Sequence, residues 1–536
     1  MHLAQFCALF GIFATAQACL LPGEIEGDHP QLRRRTNSTA STIHIHAGDR
    51  FNGGAVAPRG LGSQPAGAKI DGLMNVAEIQ TAVQGLVNKF GIQMFTAPDA
   101  TSQGATMFGG KVGNGLDCDD AYRVYLMAGI HARERGGPDN LIYFISDLLW
   151  AQSLGTGLTY GNMVYTHDDV LTALSTGIVF MPLVNPDGVA YDQATDSCWR
   201  KNRNPGGAVD LNRNFDFLWD FETDFAPGLG SSLASSDPNE LTYHGTSAFS
   251  EPETRNVKWV MDSFPKLRWH VDLHSFAGLV LYPWGDDTNQ AFDPNQAFTN
   301  PDYNGKRGKV PDTPGLEYKE YITFPDWDAT MIAANKVAIG MEGAANRPYD
   351  ARQSSFLYPT SGASTDYAFG RSMVNSDLNK LYSFTIEFGF AGPDSNCPFY
   401  PDNDQFHSSI LEAGAGFMEF LLTAARQGLG SPRECPSGGA SCAATCVPGD
   451  CGGRATCEFF NPLDGAPSFG NSYCFCQAGY KATGVADSDT SKQYHVTWTN
   501  GNGDQTHRVL VNPGQDCWDV CGDNRCGEVP LKDSCR

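Results

Sequence analysis

The chain has 536 residues, of which 41% are hydrophobic, so it is long enough for one large domain with a sizeable core and a small additional domain. Its formal net charge of −23 argues against nucleic acid and anionic membrane surfaces as partners, because both repel an acidic protein. This charge suits a soluble extracellular protein and carries no information about a substrate.

The N-terminus has the pattern of a secretory signal peptide. An apolar run from Phe6 to Ala14 precedes Ala16-Gln17-Ala18, a small-residue cleavage motif, so residues 1–18 are predicted to be removed and the protein to be secreted. The alternative is a short buried helix at the start of the chain. No other stretch approaches the roughly 18 consecutive apolar residues of a membrane span, so none is predicted.

Residues 19–65 are predicted to be a linker or short propiece. They are rich in Gly, Pro, Ala, Ser and Arg and show little apolar periodicity. Arg33-Arg34-Arg35 is either a processing site or a solvated basic run, and the two interpretations carry equal weight. Removal of the signal peptide and cleavage after Arg35 would take Cys7 and Cys19 from the 16 cysteines and leave an even number for pairing.

From residue 66 to 428, helical and strand-like apolar patterns alternate. Helical spacing is found at 76–87 and 141–150, and strand-like runs at 122–130, 177–184, 267–273 and 382–388. This alternation predicts an α/β domain with a mixed, mostly parallel central sheet and helices on both faces. Functional sites in such sheets lie at the carboxyl ends of strands, so the residues that follow these runs are the candidates.

Two strand-like runs lead directly into histidines. The first ends at His131-Ala132-Arg133-Glu134, which places a ring nitrogen and a carboxylate on one turn, and the run at 267–273 leads into His274. Two ligands on a loop and one distant ligand leave a fourth position open, as in catalytic zinc sites. Taken alone, the first pattern is one that chance supplies, and His274 could be a core histidine.

Three further charged residues are candidates for the accompanying chemistry. Glu387 lies in the otherwise apolar run 382–388, where a carboxylate is unfavourable unless it is paired or functional, and zinc-assisted hydrolysis needs a carboxylate base. The alternative is an edge strand whose polar face meets water. Arg200 and Arg213 could each hold a carboxylate or a developing oxyanion, although a lone arginine is more often on the surface.

Ordered motifs between about residues 66 and 425 resemble the M14 family, the carboxypeptidase A-like zinc metallocarboxypeptidases. In chain order they are GIHARE, PLVNPDG, WRKNR, DLNRNF, the stretch from Tyr243 to Glu253, DLHSF, LYPTSGASTDY and FTIEFG. The resemblance implies one Zn²⁺ per catalytic domain and peptide or protein C-termini as substrates. It also implies hydrolysis of the C-terminal peptide bond by a zinc-activated water.

The resemblance also assigns roles by position. His131, Glu134 and His274 match the zinc ligands, the ligand set of carboxypeptidase A. The other matches are Glu387 for the general base, Arg200 for the arginine that polarises the scissile carbonyl, Asn212 and Arg213 for the residues that bind the terminal carboxylate, Tyr358 for the mobile tyrosine, Arg133 for the outer substrate path, Thr365 for the floor of the specificity pocket and Asp210 for the carboxylate that orients a zinc-bound histidine.

The residue at the pocket floor predicts a substrate preference. Thr365 is uncharged, so an ionic side chain would find no counter-charge there, and neutral apolar or aromatic C-terminal residues are expected. Two departures from the family pattern concern the surroundings of the site. Phe276 replaces a tyrosine common after the third ligand, and the segment 286–321 is longer than in pancreatic-type members.

Residues 429–536 are predicted to form a small disulfide-rich domain. Eleven of the 16 cysteines lie between Cys435 and Cys535, as in secreted disulfide scaffolds, and 474–480 locally resembles an EGF-like module. The sequence names no partner for this tail, and a monomer is expected. The alternative function is that of an inactive peptidase-fold binding or adhesion protein that acts through its tail. The presence of all three ligands and Glu387 favours the enzyme.

Overall fold

The computed structural model describes residues 41–113, 119–429, 451, 453–459, 472–499, 505–512, 514–523 and 525–530. The predicted signal peptide, the processing site at Arg35 and residues 430–450 of the predicted tail lie outside these ranges. Within the described ranges, no helix is long and apolar enough to cross a membrane.

The elements follow one another in an α/β pattern. The helices are α1 (Val76–Phe90), α2 (Gly137–Leu154), α3 (His167–Ser175), α4 (Pro186–Thr195), α5 (Phe221–Asp224), α6 (Pro252–Ser263), α7 (Phe324–Ala345), α8 (Ser364–Val374) and α9 (Asn403–Gln427). The strands up to residue 429 are β1 (Gln93–Thr96), β2 (Phe108–Val112), β3 (Val124–Ala128), β4 (Leu158–Tyr160), β5 (Met163–Tyr165), β6 (Ile178–Met181), β7 (Trp269–Ser275), β8 (Leu279–Tyr282), β9 (Asn289–Gln290), β10 (Glu320–Tyr321), β11 (Asp350–Gln353) and β12 (Tyr382–Phe388).

Eight strands form one central sheet in the order β1-β2-β6-β3-β7-β12-β8-β11. The pairs β6/β3, β3/β7, β7/β12 and β8/β11 are parallel, and the other three are antiparallel. The central strands β3, β7 and β12 are buried along nearly their whole length, as expected of strands covered on both faces. The predicted mixed, mostly parallel sheet is confirmed.

Side-chain alternation along β7 shows that helices cover both faces of the sheet. The Trp269 ring packs edge-on against Phe420 of α9, with centroids 5.9 Å apart. Asp272, three residues along the strand and therefore on the opposite face, accepts a hydrogen bond from Ser364 of α8. The helix α9 therefore lies on one face and α8 on the other.

Local signals account for the bounds of the helix α1. The Asn75 side chain accepts the Glu78 backbone N–H, and the Glu78 side chain accepts the Asn75 N–H in return, which forms a capping box. The helix ends at Phe90 and is capped by Gly91, whose φ of 70° lies in the left-handed region that favours glycine. The predicted helical runs 76–87 and 141–150 fall within α1 and α2, so both helices are confirmed.

The predicted linker 19–65 is corrected from residue 41 onward, because this part packs on the domain. Ile43, Phe51 and Leu61 are buried in the main core, and the Ile43 N–H bonds the Pro401 carbonyl at 2.8 Å. The buried residues of this part are spaced with neither a helical nor a strand period. For this reason its Gly- and Pro-rich composition resembled that of a linker.

The tail contains a second, separate sheet. It is antiparallel, in the order β13 (Ala455–Phe459), β14 (Ser472–Cys476), β17 (Gln505–Val511), β16 (Gln493–Thr499), with a small pair of β15 (Tyr480–Lys481) and β18 (Asp519–Val520). Among the described residues of this region, three disulfides are found: Cys451–Cys474, Cys476–Cys517 and Cys521–Cys526. The predicted disulfide-rich character is confirmed, and the EGF-like resemblance stays a prediction.

Candidate active site

Three adjacent central strands deliver the main candidate residues to one edge of the sheet. His131 follows the end of β3, His274 lies near the end of β7, and Glu387 lies near the end of β12. The Cα atoms of Glu387 and His274 are register partners in the parallel β7/β12 pair. Paired residues on neighbouring strands project from the same face, so the Glu387 side chain stands on the same side as His274.

The loop after β3 carries two of the predicted zinc ligands. It passes Gly129 and Gly136, whose φ angles of 71° and 99° are positive. Within it, the Oε1 atom of Glu134 lies 2.7 Å from Nδ1 of His131, and Oε2 lies 3.0 Å from Nδ1 of His274. All three side chains are buried, and their ligand atoms lie within 4.8 Å of one another. The structure therefore brings the three predicted ligands together.

The outer ring nitrogen of each histidine faces an aspartate. Nε2 of His131 lies 3.0 Å from Oδ1 of Asp210, the residue predicted to orient a histidine, and Nε2 of His274 lies 3.1 Å from Oδ2 of Asp272. A carboxylate behind a ligating imidazole fixes its tautomer and orientation. Asp272 was missed by the sequence analysis, although a signal was present, because residues two apart in a strand share a face.

The ionisable side chains of this group shift one another's pKa values. Burial acts to raise the pKa of Glu134, but the charges of His131 and His274 outweigh it, so the pKa lies below its ordinary value. Burial likewise opposes ionisation of Asp210, and Arg200 and His131 nevertheless hold its pKa well below the usual range. Burial lowers the pKa of His274, whereas Asp272 and Glu134 outweigh it and raise that pKa well above normal.

The donor set fits a zinc ion. Two imidazole nitrogens and one carboxylate converge from a loop and a distant strand, which leaves a fourth position for water or substrate. Both imidazoles already have a carboxylate on their outer nitrogen, the arrangement found around protein-bound zinc. Within the described ranges, His131, Glu134 and His274 are the only set of three or more His, Cys, Asp or Glu side chains close enough together to hold a metal ion.

Arg200 is joined to the metal site through Asp210. Its Nε and one terminal nitrogen each donate a 3.0 Å hydrogen bond to Oδ2 of Asp210, whose other oxygen faces His131. The backbone is joined as well, since the Ala132 N–H bonds the Arg200 carbonyl at 3.0 Å. The Arg200 side chain is 2% exposed, so its guanidinium is a fixed positive charge beside the ligands.

Asn212, Arg213 and Tyr358, which the resemblance matches to substrate-binding residues, lie near one another. Arg213 donates to the carbonyls of Leu233, Asn212 and Ser232, and its guanidinium carbon lies 5.9 Å from the centroid of the Tyr358 ring. Among the described contacts, these three bonds leave one N–H on each terminal nitrogen of Arg213 for a further acceptor such as a carboxylate.

The remaining predicted residues lie around this group. Thr365 is buried at the start of α8, next to Ser364, whose N–H bonds the Asn212 side chain. Arg133 is buried with its guanidinium 4.2 Å from the Phe399 ring centroid, and Phe399 in turn packs edge-on against Phe276 at 5.0 Å. The departure from tyrosine at position 276 thus places an apolar ring in a small aromatic cluster.

Comparisons with known proteins agree with this geometry. A model of the zinc carboxypeptidase family matches residues 99–413, which is more than half of the chain. "Carboxypeptidase B" of Astacus astacus is 28% identical over 307 residues, 55% of this chain and 80% of that protein. "Zinc carboxypeptidase A 1" of Drosophila melanogaster is 29% identical over 281 residues, 51% of this chain and 53% of that protein.

Among solved structures, the carboxypeptidase A from Helicoverpa armigera aligns with a TM-score of 0.47 and 20% identity, over 67% of this chain and 75% of that one. The chain spans about half the length of the Drosophila relative and most of the Astacus one. The family match covers the strand ends that carry His131, Glu134, His274 and Glu387. The chain therefore belongs to the zinc carboxypeptidase family.

Proposed function

We propose that the protein is a secreted zinc-dependent exopeptidase that hydrolyses the C-terminal peptide bond of peptides and proteins. The observation that carries this proposal is the convergence of His131, Glu134 and His274 beside Glu387 at the ends of three adjacent strands. Secretion is supported by the Cys198–Cys397 disulfide and by the disulfides in the described part of the tail, because such bonds persist in oxidising compartments.

Glu387 is the proposed general base. When bound, the zinc ion polarises the scissile carbonyl and lowers the pKa of a water molecule. A carboxylate oxygen of Glu387 accepts the proton of the attacking water and later donates it to the leaving amine. The register pairing with His274 supports this role, because it fixes the Glu387 backbone directly beside a ligand.

Arg200 is the proposed oxyanion partner, since a preorganised charge in a dry site stabilises negative charge that develops on the substrate. Its two hydrogen bonds to Asp210 hold the guanidinium plane before substrate arrives. Asn212 and Arg213 are proposed to bind the free terminal carboxylate, and Tyr358 to close over the C-terminal residue. Arg133 is proposed to line the path of the preceding residues.

The proposed organisation has a catalytic domain at 66–428, onto which residues 41–65 pack, and a tail at 429–536. The protein is proposed to act as a monomer, with no partner named for the tail. Thr365 is proposed to form the floor of the specificity pocket, which favours neutral apolar or aromatic C-terminal residues.

The test separates metal binding from turnover. Glu387→Gln should retain zinc but lose about 100-fold or more in kcat on a peptide with a free C-terminus, because an amide cannot accept the proton of water. The control Glu342→Gln, at an exposed position of α7, should behave as the wild type. Phenanthroline should abolish wild-type activity, and added zinc should restore it.

Two results would contradict the proposal. The first is full activity of a metal-free preparation. The second is a zinc-loaded wild-type protein that binds peptides without cleaving them, which would favour a binding protein on a peptidase fold.

A further inference from the structure

Ser364 contacts both halves of the site. It is fully buried and is the first residue of α8. Its Oγ donates a 2.6 Å hydrogen bond to Oδ2 of Asp272, and its backbone N–H donates a 2.8 Å bond to Oδ1 of Asn212. One residue thus touches the carboxylate behind a zinc ligand and an amide that we propose to bind substrate.

The hydroxyl acts on the metal side. Asp272 is fully buried, and its Oδ2 lies 3.1 Å from Nε2 of His274, whose Nδ1 faces Glu134. Among the described residues, the Ser364 hydroxyl is the hydrogen-bond donor that reaches Asp272, whose Oδ1 has no hydrogen-bond partner there. The hydroxyl therefore holds the Asp272 carboxylate, whose Oδ2 faces the outer nitrogen of the His274 ring at 3.1 Å.

The backbone N–H acts on the substrate side. Because it bonds the amide oxygen of Asn212, it leaves the NH₂ end of that amide as a donor. A donor is the polarity that a substrate carboxylate requires. The Asn212 backbone is held separately, since its N–H bonds Oδ1 of Asp210 at 3.1 Å.

A role of the hydroxyl in starting the helix does not account for these contacts. The residue that caps α8 is Ala363, which has no side chain able to cap, and Ser364 is already inside the first turn. The Ser364 hydroxyl instead donates its hydrogen bond to Asp272 of β7, 92 residues earlier in the chain, and it makes no capping bond.

We propose that Ser364 is a positioning residue that supports zinc retention with its hydroxyl and substrate recognition with its backbone N–H. The first part depends only on the metal site, and the second rests on the proposed function. The two parts can be separated, because a substitution of the side chain removes the hydroxyl alone.

Three variants separate the role of the hydroxyl from that of the backbone N–H. Ser364→Ala removes the hydroxyl and keeps the N–H, and Ser364→Thr keeps both. Ser364→Pro removes both, and proline suits this position because the first helical residue tolerates a missing N–H. The preceding residue is compatible as well, since Ala363 has φ −78° and ψ 144°, in the region that a residue before proline prefers.

The readouts are the zinc dissociation constant, measured by competition with a fluorescent chelator, and KM at saturating zinc for a peptide with a free C-terminus. We expect Ser364→Ala to weaken zinc binding by about tenfold without a change in KM, and Ser364→Thr to restore zinc binding. We expect Ser364→Pro to weaken zinc binding to the same extent and to raise KM by about fivefold. Thermal unfolding of each metal-free variant reports whether it folds.

Wild-type zinc affinity in Ser364→Ala would overturn the role of the hydroxyl. An equal rise of KM in the alanine and proline variants would overturn the separate role of the N–H. If the proline variant does not fold, Asn212→Ala replaces it, and it should raise KM while zinc affinity stays at the wild-type value. If the zinc-loaded wild type cleaves no peptide, the proposed function fails, and the zinc measurements still decide the role of the hydroxyl.

Discussion

Asp210 serves three partners with two oxygens. Oδ1 faces His131 and accepts the Asn212 N–H, while Oδ2 accepts both hydrogen bonds from Arg200. A single buried carboxylate therefore fixes a zinc ligand, a proposed oxyanion partner and the backbone of a proposed substrate-binding residue. Substitution of such a residue disturbs the site more than its distance from the substrate would suggest.

Arg213 provides a prediction about substrate binding. Arg213→Ala should raise KM for peptides with a free C-terminus much more than it lowers kcat, because it removes the fork for the terminal carboxylate. Wild-type protein should discriminate strongly against C-terminally amidated peptides, and the variant should discriminate less. Equal wild-type rates on free and amidated peptides would contradict exopeptidase action.

Thr365 provides a prediction about the substrate side chain. Values of kcat/KM for matched substrates that end in Phe, Leu, Lys and Glu should favour Phe and Leu, because an ion in a closed pocket without a counter-charge is strongly disfavoured. A preference for Lys over Phe would show that another residue sets the polarity of the pocket.

The sequence could predict the residues of the site that follow strand ends or match a motif, such as His131 and His274. Asp272 was within reach, since its two-residue spacing from His274 puts both on one face of β7. The double contact of Ser364 was not, because its partners lie 92 and 152 residues away and meet it only through tertiary packing.

At the scale of elements, the segment 41–75 is tied down by buried charges as well as by apolar contacts. Arg50 donates through its backbone N–H and its guanidinium to Glu78, a fully buried carboxylate in the first turn of α1. Gly62 and Ser63 donate backbone N–H groups to the buried Asp147 of α2. The hydrophobic residues of this segment show no helical or strand-like spacing that would indicate these contacts. The composition alone therefore predicted a linker.

Arg50→Ala should lower the free energy of unfolding by about 2 kcal/mol or more, because Glu78 would remain buried with His46 as its remaining basic neighbour and without the bonds from the Arg50 guanidinium. The Lys258–Asp262 pair, whose side chains are 40% and 33% exposed, offers a control. Lys258→Ala should change stability by about 0.5 kcal/mol or less. Urea unfolding measures both, and equal effects would show that Glu78 does not need Arg50.

At the scale of the whole molecule, the net charge of −23 coexists with carboxyl groups that burial keeps protonated at unusually high pH. Burial raises the pKa of Asp139 to about 7, that of Glu253 to about 7 and that of Asp287 to about 8. These three groups bind protons in the folded state at pH values where the unfolded chain has released them.

Stability should therefore fall as pH rises from about 4 toward 8, since the folded state holds more protons than the unfolded state across that window. The free energy of unfolding, measured in urea, should be larger at pH 5 than at pH 8. Asp139→Asn keeps an acceptor for the Met74 N–H and removes one titrating group, so the difference between the two pH values should shrink. No difference in the wild type would contradict these pKa values.

The Cys198–Cys397 disulfide closes a covalent ring across a sequence separation of 199 residues. Arg200, His274 and Glu387 lie inside the ring, and His131 and Glu134 lie before it. If another protease cuts the exposed stretch 311–315 inside this ring, the two fragments stay joined by the disulfide. Nicked protein would then keep the three predicted zinc ligands, which all precede the cut, and Glu387, which follows it, on one covalently linked molecule. The two pieces would separate only under reducing conditions.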